Sequence, residues 1–174
     1  MDEIDIRESL PGDQGAVLAL YPRAFPEEDL LPVVSGLLAE ADGVTSLVAL
    51  SGDMVAGHVV FTDCGVEGSD RRIALLGPLC VDPDHQRQGI GKALIREGVA
   101  RMGARGAACI CVLGDPDYYG RTGFLSERGI SPPYPIPEEW RDAWQSVSTD
   151  ETKDAPVGRL TVPRPWQNPA LWSD

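Results

Sequence analysis

Positive charge is in short supply in this chain. Its 174 residues include 27 acids and only 15 bases, for a formal net charge of −12. Such a surface is repelled by duplex DNA, whose binding depends on neutralised phosphates, so no nucleic-acid partner is expected. No run of residues approaches the ~20 consecutive apolar positions of a membrane span, which excludes an integral membrane protein. The opening Met1-Asp2-Glu3-Ile4-Asp5 is acidic where an export leader is basic and then apolar, so a cytoplasmic location is expected. Cysteine is scarce as well. Cys64, Cys80, Cys109 and Cys111 sit in apolar runs without C-x-x-C spacing and read as reduced core thiols, with no metal site.

What is present is enough for one folded domain, expected over residues 1–174, since a chain of this length buries roughly 70% of its unfolded surface. The bases are unevenly placed. Residues 1–70 hold 14 acids and 2 bases, whereas residues 71–128 hold 6 acids and 9 bases. A locally basic middle segment suits a small anionic ligand, while the acidic remainder attracts cations.

Hydrophobic spacing and turn residues supply the order of elements. Ile4 and Ile6 alternate with polar neighbours as in a short strand. Pro11-Gly12-Asp13 opens a helix through Tyr21, with Asp13 as its cap and Pro22 and Pro26 as its breakers. A second helix runs to Gly43 with Pro32 in its first turn. Val44 to Leu50, Met54 to Cys64 and Arg72 to Val81 read as strands, the first two joined by Ser51-Gly52-Asp53. Gly89 to Arg101 has helical spacing, and the apolar run Ala107 to Leu113 suits a strand buried on both faces. A short helix follows through Tyr118 and Tyr119. Beyond Ser131 come four closely spaced prolines, and then Trp144 to Ser148 and Arg159 to Val162 are expected to pair as a hairpin across the acidic loop Thr149 to Pro156. The order is that of an α/β fold, a mixed sheet of about seven strands with helices on both faces.

One segment carries chemistry: Leu79-Cys80-Val81-Asp82-Pro83-Asp84-His85-Gln86-Arg87-Gln88-Gly89-Ile90-Gly91-Lys92. A strand ends, a polar loop follows, and two glycines open a helix. The first turn of any helix leaves about four N–H groups without intrahelical partners, at the positive end of the dipole. Such a turn holds phosphate or pyrophosphate, and glycine lets the anion approach the main chain. Arg87 and Lys92 add charge. The third glycine of a dinucleotide fingerprint is missing, and Gln86 and Ala93 stand where a P-loop needs Gly and Ser or Thr.

Gln86-x-x-Gly89-x-Gly91 behind Val81-x-Pro83, with Tyr118-Tyr119-Gly120-Arg121-Thr122-Gly123-Phe124 downstream, resembles the paired signatures of the GNAT acetyltransferases. The run Leu76-Gly77-Pro78-Leu79 is similar to a bacterial branch of mostly uncharacterised members. The resemblance spans residues 4 to about 125 and leaves 131–174 as a family-variable hairpin and tail. It implies a sheet splayed between its fourth and fifth strands, and Pro78, unable to donate to a ladder, suits that gap. It implies acetyl-CoA as cosubstrate, with no metal, and transfer of acetyl to a primary amine by direct attack on the thioester. A homodimer is common in the superfamily. The competing expectation is a noncatalytic acyl-CoA-binding sensor or partner domain.

Residue by residue, the resemblance puts the pantetheine arm beside Leu79, Cys80 and Val81, and the pyrophosphate over Gln86, Arg87, Gln88, Gly89, Ile90, Gly91 and Lys92. The Cys80 N–H would polarise the thioester carbonyl. Tyr119 would protonate the departing thiolate, and Tyr118 is read as packing. Asp115 stands where many relatives have asparagine near the pantetheine, and here it is expected to cap the next helix. The family's glutamate on the fourth strand has no counterpart between Arg72 and Val81. The general base is therefore open among His58, Glu27, Glu28, Asp63 and ordered water. The four tryptophans, all beyond residue 139, suit either an acceptor wall, a subunit contact or a staple for the tail.

Overall fold

A computed structural model describes residues 3–150 and 155–173, so Glu151 to Asp154, the centre of the acidic loop, lie outside the described residues. The chain divides into two compact units, Met1–Phe61 with Gly77–Gly98, and Thr62–Leu76 with Val99–Asp174. Two long strands, β3 (Met54–Val66) and β4 (Ser69–Val81), pass through both.

In the first unit, β1 (Ile4–Glu8) lies antiparallel to β2 (Val44–Ser51), with Ile6 opposite Ala49. Helices α1 (Gln14–Ala24) and α2 (Leu31–Leu38) connect them. Pro22 does not break α1, contrary to the sequence expectation. The helix runs on to Ala24, and Phe25 N–H donates to Tyr21 O at 2.8 Å to close its last turn. Proline removes a donor in mid-helix, but two residues from the end the loss is confined to a turn that was about to fray. Asp13 makes no side-chain cap bond on α1. Its carboxylate instead accepts from Leu10 N–H at 2.6 Å and pairs with Arg7 at 2.7 Å, fixing the turn that leads into the helix.

Helix α3 (Ile90–Ala104) is seated closely on β3. At Gly57 a Cβ would stand 3.0 Å from the Ile90 side chain and 3.1 Å from that of Leu94. At Gly98 a Cβ would overlap the ring of Phe61, which is fully buried. Two missing side chains, one on each element, thus set how near the helix lies.

The second unit continues the sheet. Strand β5 (Cys109–Leu113) is parallel to β4, with Ala74 opposite Ile110 and Leu75 opposite Cys111, and the ladder goes no further along β4. This mixed sheet with a brief parallel pair is the splayed α/β arrangement expected. A short helix α4 (Pro116–Gly120) and the two-residue strands β6 (Leu125–Ser126) and β7 (Ile130–Ser131) follow. The strands expected to form a terminal hairpin do not pair with each other. Strand β8 (Trp144–Ser148) lies antiparallel to β5, with Cys111 opposite Ser146, and also pairs with β6. Strand β9 (Gly158–Thr161) pairs with the end of β3 and, in parallel, with β7. Each strand found an open edge of the existing sheet, which buries more than a hairpin closed only on itself. The path is β1-β2-β3-β4-β5-β8-β6, and among the described residues nine strands replace the seven expected because of the two short ones.

Three of the four tryptophans resolve into a staple. Trp144 and Trp172 are buried in a core with Cys64, Ile73, Leu75, Cys109 and Cys111. Trp172 meets both Trp144 and Trp166 with ring centroids 5.9 and 5.8 Å apart. Each indole N–H has an acceptor: Ile130 O for Trp144, Thr62 Oγ1 for Trp166 and Trp166 O for Trp172. Buried aromatic area with satisfied donors is a core arrangement, so these three pack the tail onto its sheet. All four cysteines are free and buried, as the sequence suggested.

The α3 seat makes a stability prediction with a definite sign. Alanine in place of glycine normally favours a helix interior by about 1 kcal/mol. At Gly98 the added methyl meets the Phe61 ring, and overpacking costs about 1–3 kcal/mol. Gly98→Ala is therefore expected to lower the urea midpoint, and an unchanged or raised midpoint would show that the contact is slack.

Candidate active site

The strand-to-helix segment at the end of β4 is built as a fixed loop with an open turn. Asp82, which is only 2% exposed, anchors it. Its backbone N–H donates to Ala56 O at 2.8 Å, and its carboxylate accepts from Asp84 N–H at 2.8 Å. Arg23 of α1 reaches Asp82 at 2.6 Å and Asp84 at 3.2 Å. Burial by itself pushes the Asp82 carboxyl up. The Asp84 N–H, the Arg23 guanidinium and nearby His85 outweigh it, so the group is held below the usual carboxylate value. Gln86 Nε2 donates back to Val81 O at 3.3 Å.

The turn itself faces outward. Residues 86–89 are exposed, and Arg87 and Gly89 both adopt left-handed backbone, φ 65° and 82°. Arginine in this region is uncommon and costs about 1 kcal/mol, so the turn is held by its surroundings. A Cβ at Gly89 would meet nothing within 4 Å, which leaves open space over the first turn of α3. Ile90 and Gly91, by contrast, are buried and Lys92 is half-buried, rooting the helix. The chemistry of this cradle, a helix start whose first-turn N–H groups have no intrahelical partner, preceded by an exposed turn and with Arg87 and Lys92 close in sequence, fits a pyrophosphate.

Leu79, Cys80 and Val81 lie on the last residues of β4, directly before this loop. Cys80 is buried, and burial pushes its thiol up to about 12 against smaller opposing effects from Tyr21 and the His58 backbone.

His58 on β3 is completely buried. Its Nδ1 lies 2.7 Å from Tyr21 Oη and its Nε2 lies 2.7 Å from Ser46 Oγ. Burial lowers it to about 3, so the imidazole is neutral near pH 7. A histidine that meets solvent or an amine directly is not what this geometry presents. Among the other base candidates, Asp63 accepts from Arg72 at 2.8 Å, and Glu27 and Glu28 are exposed between α1 and α2.

In the second unit, Asp115 caps α4 as expected, its Oδ1 accepting from Asp117 N–H at 3.0 Å. Tyr119 follows in the same short helix. Its ring packs edge-on against Tyr118 and Phe124, with centroids 5.1 and 5.6 Å away. Burial, with a smaller contribution from Tyr118, raises its hydroxyl well above the ordinary tyrosine value. Gly114 is what admits the ring, because a Cβ there would collide with it.

Four contributors escaped the sequence reading: Arg23, Asp82, Tyr21 and Gly114. Asp82 and Gly114 carried a local signal, an acid before Pro-Asp and a bare glycine at a strand end. Arg23 and Tyr21 carried none, since their partners lie 59 and 37 residues away.

A mixed sheet with a splayed parallel pair, bearing a pyrophosphate-type turn after β4 and a Tyr-Tyr helix after β5, defines a CoA-linked acyltransferase scaffold. Comparison with known proteins agrees. The model of the Acetyltransferase (GNAT) family matches residues 15–129. The Escherichia coli K12 protein described as uncharacterized N-acetyltransferase YjhQ is 31% identical over 166 residues, covering 91% of this chain and 92% of that one. Its counterpart YhbS, from the same strain, is 32% identical over 120 residues, 68% of this chain and 72% of its own. Among solved structures, E. coli YhbS in complex with CoA superposes with a TM-score of 0.86 at 24% identity, covering 97% of this chain and 94% of that one. A Brucella melitensis GNAT acetyltransferase in complex with acetyl-CoA gives 0.77 at 27% identity, covering 96% and 100%. The chain belongs to the GNAT family. It is an acetyl-CoA-dependent N-acetyltransferase, a class that acetylates amines. No described helix is long and apolar enough to cross a membrane.

The Asp82 anchor predicts a pH signature. A carboxyl held below its unfolded value of 3.8 stabilises the fold fully above that pH, and the contribution is lost as pH falls through the folded value. The stability gap between wild type and Asp82→Asn is thus expected to be widest near pH 6 and to close below about pH 4. A gap independent of pH, measured by urea denaturation at each pH, would assign the loss to packing instead.

Proposed function

We propose that the chain transfers acetyl from acetyl-CoA to a primary amine of a small molecule or protein, by direct attack on the thioester. The observation that carries this reading is the outward-facing turn 86–89 at the start of α3, fixed from behind by Asp82 and Arg23. Main-chain donors from Gly89 to Lys92, with Arg87 and Lys92, hold the pyrophosphate. Backbone groups of Leu79, Cys80 and Val81 receive the pantetheine arm, and the Cys80 N–H polarises the carbonyl. The amine nitrogen bonds to the carbonyl carbon, the C–S bond breaks as the intermediate collapses, and Tyr119 supplies the proton that leaves CoA as a thiol. Tyr119 is protonated throughout the physiological range, as the acid role requires.

Direct attack is supported over an acyl-enzyme by the state of Cys80. Burial pushes its thiol up to about 12, which keeps it protonated at pH 7, and the thiol is a far weaker nucleophile than the thiolate. Asp115, whose Oδ1 accepts from the Asp117 N–H, serves chiefly to orient α4.

Calorimetric titration with acetyl-CoA tests the cradle first. Wild type is expected to bind at micromolar Kd, and Gly89→Glu, which places a negative charge over the open turn, to bind at least about tenfold more weakly. Thiol release with a panel of primary amines then tests the chemistry, with kcat expected to fall about 10²-fold in Tyr119→Phe at unchanged acetyl-CoA affinity. Binding without turnover on any amine, or Tyr119→Phe at wild-type rate, would favour the noncatalytic acyl-CoA-binding reading.

The acceptor is a cation in this reading, drawn by the acidic first 70 residues, including exposed Glu27, Glu28 and Asp29. Its KM is expected to rise as salt increases from 0.05 to about 0.5 M, because exposed charges are screened over a Debye length of a few ångströms at the higher value. A neutral amine used equally well at every salt concentration would overturn that assignment.

A further inference from the structure

A string of polar side chains crosses the first unit, and the reaction as written above leaves it without a task. Ser9 Oγ and Ser46 Oγ lie 2.7 Å apart, Ser46 Oγ lies 2.7 Å from His58 Nε2, and His58 Nδ1 lies 2.7 Å from Tyr21 Oη. Tyr21 Oη also approaches Pro78 O at 3.5 Å. Tyr21 and His58 are buried, whereas Ser46 and Ser9 are half-buried. One end of the string therefore touches the β4 residues beside Cys80, and the other reaches solvent next to β1. Three successive short bonds are a costly thing to place in a core for packing alone, since a buried polar group destabilises the fold whenever it loses its partner.

We infer that Tyr21, His58, Ser46 and Ser9 form a proton relay that takes the amine proton during acetyl transfer and returns it after product leaves, a role that rests on the acetyl-transfer reading. The amine arrives protonated and has to lose one proton before or during attack. Tyr21 is buried like His58, so that proton reaches Tyr21 Oη through a bridging water as the Tyr21 proton moves to His58 Nδ1. The Nε2 proton moves to Ser46 Oγ, the Ser46 proton to Ser9 Oγ, and the Ser9 proton to water. One proton leaves, no heavy-atom bond changes in the string, and the imidazole exchanges one neutral tautomer for the other. After product leaves, a proton entering through Ser9 restores Nε2–H while the Nδ1 proton departs through Tyr21 to the water of the vacated groove. The imidazole carries no lasting charge at any stage, so its burial is compatible with the task. The missing carboxylate of β4 is then replaced by a path, with Tyr21 at its mouth.

Exchange of the His58 ring N–H with water, read by ¹⁵N NMR, tests the path without any acceptor. The chain has two histidines, so the signal is assigned by comparison with His85→Asn. Exchange is expected to slow by about tenfold or more in Ser46→Ala and in Ser9→Ala, and to return in Ser46→Thr, which keeps the hydroxyl. With an amine that turns over, kcat is expected to fall about tenfold in Ser46→Ala and about 10²-fold in Tyr21→Phe, with the acetyl-CoA KM within about twofold and Ser46→Thr restoring kcat. Exchange and kcat unmoved by Ser46→Ala and Ser9→Ala would overturn the path. Loss of acetyl-CoA binding in wild type would overturn the acetyl-transfer reading instead, and the exchange rates would still decide whether the string conducts.

Discussion

The close seat of α3 on β3 is the constraint from which the first unit takes its form. A helix packed against a sheet ordinarily stands off by the length of the intervening side chains. Here Gly57 on the strand admits Ile90 and Leu94, and Gly98 on the helix admits Phe61. The contacts seat α3 on the strand at its first turn and again two turns later. A rocking helix start would move its free N–H groups relative to the end of β4, and a site that binds an anion at one and an acyl chain at the other tolerates little of that. The strain at Arg87 and the positive φ at Gly89 are then the local expense of meeting a helix whose position is already determined.

Electrostatics in the same unit follow from burial. Asp82 would be an unfavourable neighbour for an anionic ligand if its charge reached the turn. Arg23 and the Asp84 N–H pair that charge at the anchor of the loop. The pairing has a second effect: Arg23 belongs to α1, so the loop is tied to a helix far away in sequence. Buried charge pairs add little net stability over an apolar substitute, but they fix geometry.

The fold and the outline of the site were legible where the information is local. The β-α order, the burial of the cysteines, the glycine turn before α3 and the capping role of Asp115 each rest on residues within a few positions of one another. The errors were of two kinds. Pro22 and Asp13 carried correct propensities that the end of α1 and the Arg7 pair overrode. The β8 and β9 pairing failed because edges available elsewhere in the sheet decide which strand a segment joins, and that choice is tertiary. The same applies to the site. A motif announces a glycine turn, while no local signal shows that Arg23 would back it or that Tyr21 and Ser46 would take both nitrogens of His58.

His58 shows why residue type alone misleads about a base. A strand histidine near an acyl-transfer centre invites assignment as the proton acceptor, because its ordinary pKa lies near neutrality. Full burial removes that property: a group lowered to about 3 is a poor terminal base at pH 7. What burial leaves intact is the imidazole's two-sidedness, one nitrogen accepting while the other donates, and this needs no net charge. Short bonds at both nitrogens use that property, and a hydrophobic residue in its place would cost Tyr21 Oη and Ser46 Oγ one hydrogen bond each. A buried histidine with two hydroxyl neighbours is thus better understood as a link between them than as a reservoir for a proton.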